Sequence, residues 1–187
     1  MTGLFLDLPE LSGKQLGLLK EIVPGRSRIA LGIPGLNVAQ FEAAQTAVGS
    51  VGIEAKVIEV QVADDFERAL EAARTKHVDA GILLSSPLVY GVSEQVGKLA
   101  IAKRLPLISL FAVFPQSGGL ISYGPNVGEL FRRCGDYVAK ILHGAKPSDL
   151  PIQRPERFDL VINLKTATAL GLDIPTQFQQ LADEVIE

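Results

Sequence analysis

The chain has 187 residues, of which 47 % are apolar and 21 % charged, and a formal net charge of −3. This composition is that of a folded globular chain; it excludes a disordered tail, a collagen-like fibre and the clustered basic surface of a nucleic-acid binder. One cysteine, Cys134, and two histidines, His77 and His143, leave no internal disulfide and no zinc cluster.

In chain order, Leu11 to Val23 reads as a helix, with Ser12 as its N-cap and Leu16, Leu19, Ile22 and Val23 at helical spacing. Pro24-Gly25 stops it. Arg28 to Ile33 is a first strand, ended by Pro34-Gly35, and Asn37 caps a helix over Val38 to Val51. Ala55 to Val60 is a second strand, and Asp64-Asp65 opens a helix to about Lys76, with carboxylates at the positive end of the helix dipole. Asp79 to Leu84 is almost wholly apolar, as expected of a strand covered on both faces. Ser85-Ser86-Pro87 breaks it, Ser93 caps a helix to about Arg104, and Leu107 to Phe111 is a fourth strand. This β-α rhythm predicts an α/β fold, a three-layer, doubly wound, mostly parallel sheet.

After Phe111 the rhythm changes. Phe114 to Gly119 reads as turn-rich, Leu120 to Tyr123 as short and extended, and Asn126 as the cap of a long helix to His143. Gly144 stops that helix, and Lys146 to Arg157 is a connector bearing three prolines. Leu160 to Asn163 is a last short strand, Lys165 to Leu170 a short helix, and the tail from Ile174 ends in a small polar helix.

No segment is long enough to span a membrane: apolar stretches such as Ile108 to Phe114 fall far short of about 20 residues. Met1 to Glu10, without Lys or Arg and with Asp7 and Glu10, does not read as an export signal.

In a parallel sheet, ligands bind beyond the carboxyl ends of the strands, where neighbouring strands send their helices to opposite faces. With a strand order of 2-1-3-4, that crevice lies between the first and third strands. Pro34 to Asn37 and Ser85 to Tyr90 line it, and Phe111 to Gly118 joins the rim. Plainer readings stand beside this one: Asn37 and Ser93 as helix caps, Ser85-Ser86 as a strand end, Cys134 as a small core residue, and His77 and His143 as surface residues at helix ends. The spacing of a P-loop and the dinucleotide fingerprint are both missing. So are a nucleophile elbow, a Cys-His pairing pattern and H-E-x-x-H, which leaves no catalytic constellation and no cofactor or metal site. The acidic run Asp64, Asp65, Glu67 and Glu71 reads as a helix start with a solvated face.

Several longer runs resemble a known family. Glu10 to Glu21 with Val23-Pro24-Gly25, Gly118 to Pro125, Leu130 to Arg133, Tyr137 to Pro147, Asp149 to Pro151, Phe158 to Gly171 and Ala182 to Ile186 are similar to the substrate-binding proteins of ABC transporters of the tryptophan/tyrosine type. The resemblance covers nearly the whole chain. It implies one lobe of a type I periplasmic-binding-protein fold, a two-lobed clamp that closes on a small solute, passes it to an inner-membrane permease outside the cytoplasm, and catalyses nothing. In that scheme 1–9 is the remnant of an inter-lobe crossing, 10–117 the second lobe, and 118–187 the return crossing, long helix and closing strand-helix segment. The first lobe has no counterpart, so the chain reads as a fragment or a naturally shortened protein. The apolar side of helix 126–143 then needs cover from the second lobe or from another copy, since each large buried side chain is worth about 1.5–3 kcal/mol. The cleft positions that the resemblance implies are Pro34, Gly35, Asn37, Ser85, Ser86, Phe114, Gln116, Ser117 and Gly118. Ser85, Ser86 and the helix after Asn37 would hold a carboxylate and Phe114 would stack on a ring, with aromatic amino acids as the associated solutes. None of these loops supplies a carboxylate for an ammonium group. Two other classes remain open: the ligand-sensing effector domain of a regulator, and a flavodoxin-like enzyme.

Overall fold

The computed structural model describes residues 2–5, 9–23, 28–33, 38–50 and 53–187. Pro24-Gly25, Pro34, Gly35, Asn37, Val51 and Gly52, all assigned roles from sequence, lie outside the described residues.

A seven-stranded sheet forms the centre. Its first four strands are β2 (Arg28–Ile33), β3 (Glu54–Glu59), β4 (Ala80–Leu83) and β5 (Leu107–Ser109), ordered β3-β2-β4-β5 and all parallel. This is the expected 2-1-3-4 order. Three further strands extend it: β6 (Ile121–Pro125), β8 (Phe158–Asn163) and β9 (Glu184–Ile186). Among the described residues only the β6–β8 pair is antiparallel. A separate two-stranded parallel sheet joins β1 (Gly3–Leu4) to β7 (Ile152–Gln153).

Alternation along the strands explains the layers. Ile82 and Ile108 enter one core while their neighbours Leu83 and Leu107 enter the other, because successive side chains leave a strand on opposite faces. The first core takes Leu16, Leu19 and Ile22 of α1 (Leu11–Ile22), Ala44 and Val48 of α2 (Val38–Ser50), Ala167 of α8 (Leu164–Ala169) and Phe178 of α9 (Thr176–Gln179). The second takes Phe66, Leu70 and Ala73 of α3 (Asp65–Thr75), Val89 of α4 (Pro87–Gly91), Val96 and Ala100 of α5 (Ser93–Ala102) and Phe114 of α6 (Val113–Gln116). Helices cover both faces, as a doubly wound sheet requires.

α7 (Val127–Leu142) departs from the sheet. Asn126 caps it as expected, its Oδ1 accepting the Glu129 N–H at 2.8 Å, and Gly144 follows in the left-handed region at φ 98°. The helix docks through Tyr137, which is buried and donates its hydroxyl to Pro151 O at 2.7 Å, and through Arg133, which donates to Gln153. Phe131, Val138, Ile141 and Leu142 of the same helix are all exposed.

Several local expectations are corrected. Ser12 does not cap α1: it is fully buried inside the first turn, and its hydroxyl points to Gln40 O at 3.5 Å. Ser93 does not cap α5 either, because a short helix, α4, precedes it; the Ser93 hydroxyl donates back to Val89 O and Tyr90 O. Cys134 is exposed on α7 rather than a core residue. The segment from Phe114 is partly helical, and the tail adds β9 beyond its short helix. His77 and His143 are both exposed at helix ends, His77 with φ 52°.

One ion-pair hub links α3 to α5. The Glu71 carboxylate accepts from Arg74 at 2.7 Å and from Lys103 Nζ at 2.7 Å. The Arg74 and then the Lys103 hydrogen bonds pull its pKa down from 4.5 to about 2. A folded value below the unfolded one means that the hub contributes stability above about pH 4.5 and loses it as the pH falls towards 2. The midpoint difference in thermal melts between the parent chain and Glu71→Gln is therefore expected to be present near neutral pH and to vanish towards pH 2. A difference that stays constant across that window would contradict the assignment.

Candidate functional site

The described part of the β2/β4 switch point is filled by the protein itself. Gln40, in the first turn of α2, is 2 % exposed, and its Oε1 accepts the Ser85 N–H at 2.8 Å. This is one of the donors that the sequence offers to a solute carboxylate. Ser86 is also buried: its Oγ accepts the Val89 N–H at 3.1 Å and caps α4, with Pro87 at the first helical position. The Ser85 N–H and the Ser86 hydroxyl oxygen, both offered to a solute by the sequence, thus take part in contacts within the fold.

Phe114 is corrected as well. It is fully buried in the second core, beneath Gly119, where a Cβ would lie 2.4 Å from its ring. No solute reaches that ring without unpacking the core. Gly118, at φ 99°, makes the turn that follows α6, and its carbonyl accepts from Thr166 Oγ1 at 3.0 Å. Asn163 caps α8 through Oδ1 and donates Nδ2 to Pro115 O at 2.9 Å. These two bonds clamp the 115–118 turn to α8. The Ser117 N–H closes the turn by donating to Val113 O. Of the expected cleft positions among the described residues, Gln116 alone lines the main cavity.

That cavity, about 510 Å³, opens beyond the carboxyl ends of β5 and β6. Tyr90 of α4, Val113 and Gln116 of α6, Pro125 to Gly128 at the start of α7, and Phe131 surround it, together with residues of β8 and β9. Two features set its chemistry. The amino-terminal end of the sixteen-residue helix α7 faces it at Val127 and Gly128, the positive end of a helix dipole. Among the described residues, the carboxylates of Asp159, Asp183 and Glu184 stand in its wall against the guanidinium of Arg157.

The strands place these charges. Asp159 accepts from Asn126 Nδ2 and from Arg157 Nε, the latter at 3.1 Å, so the α7 cap and the carboxylate are built as one unit. Asp183 accepts the Leu160 N–H at 2.8 Å, and Glu184 accepts from Gln116 Nε2 at 2.8 Å. Sequence reasoning missed all three carboxylates. They arrive on an antiparallel return and on a final strand that no turn signal announces. Among the described residues no group of three or more His, Cys, Asp or Glu side chains could hold a metal ion. The wall can meet a positive group at β9 and a negative one at the α7 start, with aromatic surface between.

Comparison with known proteins agrees with this architecture. The profile of the ABC transporter substrate binding protein family matches residues 1–186. Over 118 residues the chain is 30 % identical to the uncharacterized protein RP367 of Rickettsia prowazekii, covering 63 % of this chain and 38 % of that protein. The crystal structure of a conserved domain protein from Vibrio cholerae superposes with a TM-score of 0.88 at 26 % identity, over 98 % of this chain and 62 % of that one. An ABC domain from Streptococcus pneumonia, solved in complex with L-Trp, superposes with a TM-score of 0.85 at 22 % identity, over 94 % of this chain and 60 % of that one. The chain thus spans about three fifths of the length of these two solved structures.

Proposed function

The chain belongs to the ABC transporter substrate binding protein family, and from that premise we propose that it forms one wall of a solute-binding cleft serving an importer. The solute is small, an aromatic amino acid or a related compound, and is handed outside the cytoplasm to an inner-membrane permease without being altered. The observation that carries this reading is the 510 Å³ cavity at the strand ends, with exposed rings of Tyr90 and Phe131 in its wall and groups of both charge signs beside them. An amino acid has matching parts: an ammonium for Glu184 or Asp183, a carboxylate for the α7 start, and a side chain for the rings. That the Streptococcus neighbour holds L-Trp supports this reading.

The domain scheme is part of the same proposal. α7 with the β1–β7 pair forms a layer built on one side only, and its outward face of Phe131, Val138 and Leu142 is apolar. We assign that face to a further α/β body, the counterpart of the length that the solved relatives have in addition. A second copy meeting α7 to α7 fits less well. A helix of sixteen residues is about 24 Å long and 10 Å across, so one stripe offers far less than the roughly 800 Å² per partner of a stable interface.

The chain contains no Trp, so indole emission reports ligand alone. Titration against L-tryptophan is expected to give saturable but weak binding, above the micromolar range, because one wall supplies only part of the contacts. Sub-micromolar affinity would contradict the one-wall reading. Failure of every amino acid, sugar and fatty acid tested to bind would overturn the solute-binding reading itself.

A further inference from the structure

The wall of the cavity contains one ring whose placement is fixed from three sides, although the ring itself is exposed. α4 has five residues, too few for a helix to persist by itself. Two buried hydroxyls hold it: Ser86 Oγ accepts the Val89 N–H at 3.1 Å, and Ser93 Oγ donates to Val89 O at 2.8 Å and to Tyr90 O at 3.1 Å. The Tyr90 ring then meets Phe111 edge to face, with centroids 5.3 Å apart and planes at 87°. Phe111 is itself buried, and its N–H donates to Ser109 Oγ at 3.2 Å. Backbone and side chain of Tyr90 are therefore both set before any solute arrives, yet the residue remains 48 % exposed in the cavity wall. Phe131, 72 % exposed, belongs to the same wall from α7.

We propose that Tyr90 is the specificity-determining residue of this pocket, a prearranged platform that selects solutes presenting a flat, unsaturated ring. The proposal rests on the reading of the cavity as the solute site. Fixing a ring in advance removes the ordering cost that binding would otherwise carry. A ring-on-ring contact adds affinity beyond the burial that a saturated group of similar size also gains. Ser86 and Ser93 thus serve the pocket by holding α4, and with it the ring, in place.

The test compares L-phenylalanine with L-cyclohexylalanine, its saturated counterpart, by calorimetry on the full 187-residue chain. The parent chain is expected to prefer the aromatic compound by about two- to tenfold. Y90F is expected to keep that preference and Y90L to abolish it. Equal binding of the two compounds by the parent chain, or an undiminished preference in Y90L, would overturn the assignment. Y90F, which keeps the ring, and a circular-dichroism melt of Y90L guard against loss of fold as the cause. If solutes of another class bind and neither ring compound does, Tyr90 is not the selector, although the cavity remains a solute site. If nothing binds at all, both readings fall.

Discussion

Substituting alanine for Gly124 is expected to lower the stability of the chain by about 3 kcal/mol or more, a fall in melting temperature of about 6–12 °C for a chain of this length. A Cβ at this position would lie 2.0 Å from Leu110 O and 2.9 Å from Leu110 C. Both atoms are backbone, so no rotamer change relieves the clash. β6 passes over the residue following β5 here, and the next residues, Pro125 and Asn126, lead into α7 and line the cavity. A displaced β6 therefore also moves the start of α7 and weakens solute binding. Gly135→Ala provides the control. It lies within α7, and a methyl group added there would meet nothing within 4 Å, so the exchange is expected to stabilise the helix by about 0.5–1 kcal/mol. Thermal melts of the two variants check the pair; a Gly124→Ala melt within about 2 °C of the parent, roughly the effect of 1 kcal/mol or less, would refute the close approach.

Much of the sheet can be read directly from the order of residues. Ala80 to Leu83 is apolar at every position because helices cover both of its faces, and the β-α rhythm leaves little freedom in strand order. The Asn126 cap and the Gly144 stop are equally plain, since each answers a local need of the backbone at a helix end. What local pattern cannot reveal is competition between partners. Ser12 and Ser93 look like caps, yet each lies inside a helical turn with its hydroxyl directed to a carbonyl. Cys134 sits among apolar neighbours on α7, but the helix buries only Tyr137 and leaves Cys134 exposed. The candidate site is the least legible part. Its carboxylates come from β8, β9 and the residue just before β9, which reach the cavity only because one strand of the sheet runs backwards, a fact of topology rather than of any short motif. Phe114 misleads for the opposite reason: the resemblance implies a ring free to stack on a solute, whereas Gly119 lets the chain fit tightly over that ring.

Tyr137→Ala tests how α7 is held, and a large, local effect is expected. The side chain is 7 % exposed and its hydroxyl donates to Pro151 O at 2.7 Å, so truncation removes the main anchor of the helix on the β1–β7 pair. Losing a buried aromatic costs about 3–5 kcal/mol. An isolated helix of sixteen residues is marginal in water, so α7 is expected to open by itself rather than unfold the sheet. Amide hydrogen exchange over 127–142 should accelerate by about a hundredfold or more, while exchange in β4 and β5 stays as in the parent. Phe131→Ala, on the exposed face of the same helix, should leave all of these rates unchanged. If instead the α7 amides of Tyr137→Ala remain protected, the outward face must already be covered at the working concentration, and a second copy of the chain becomes the occupant to look for. The two aromatic residues thus separate the force that docks the helix from its exposed surface.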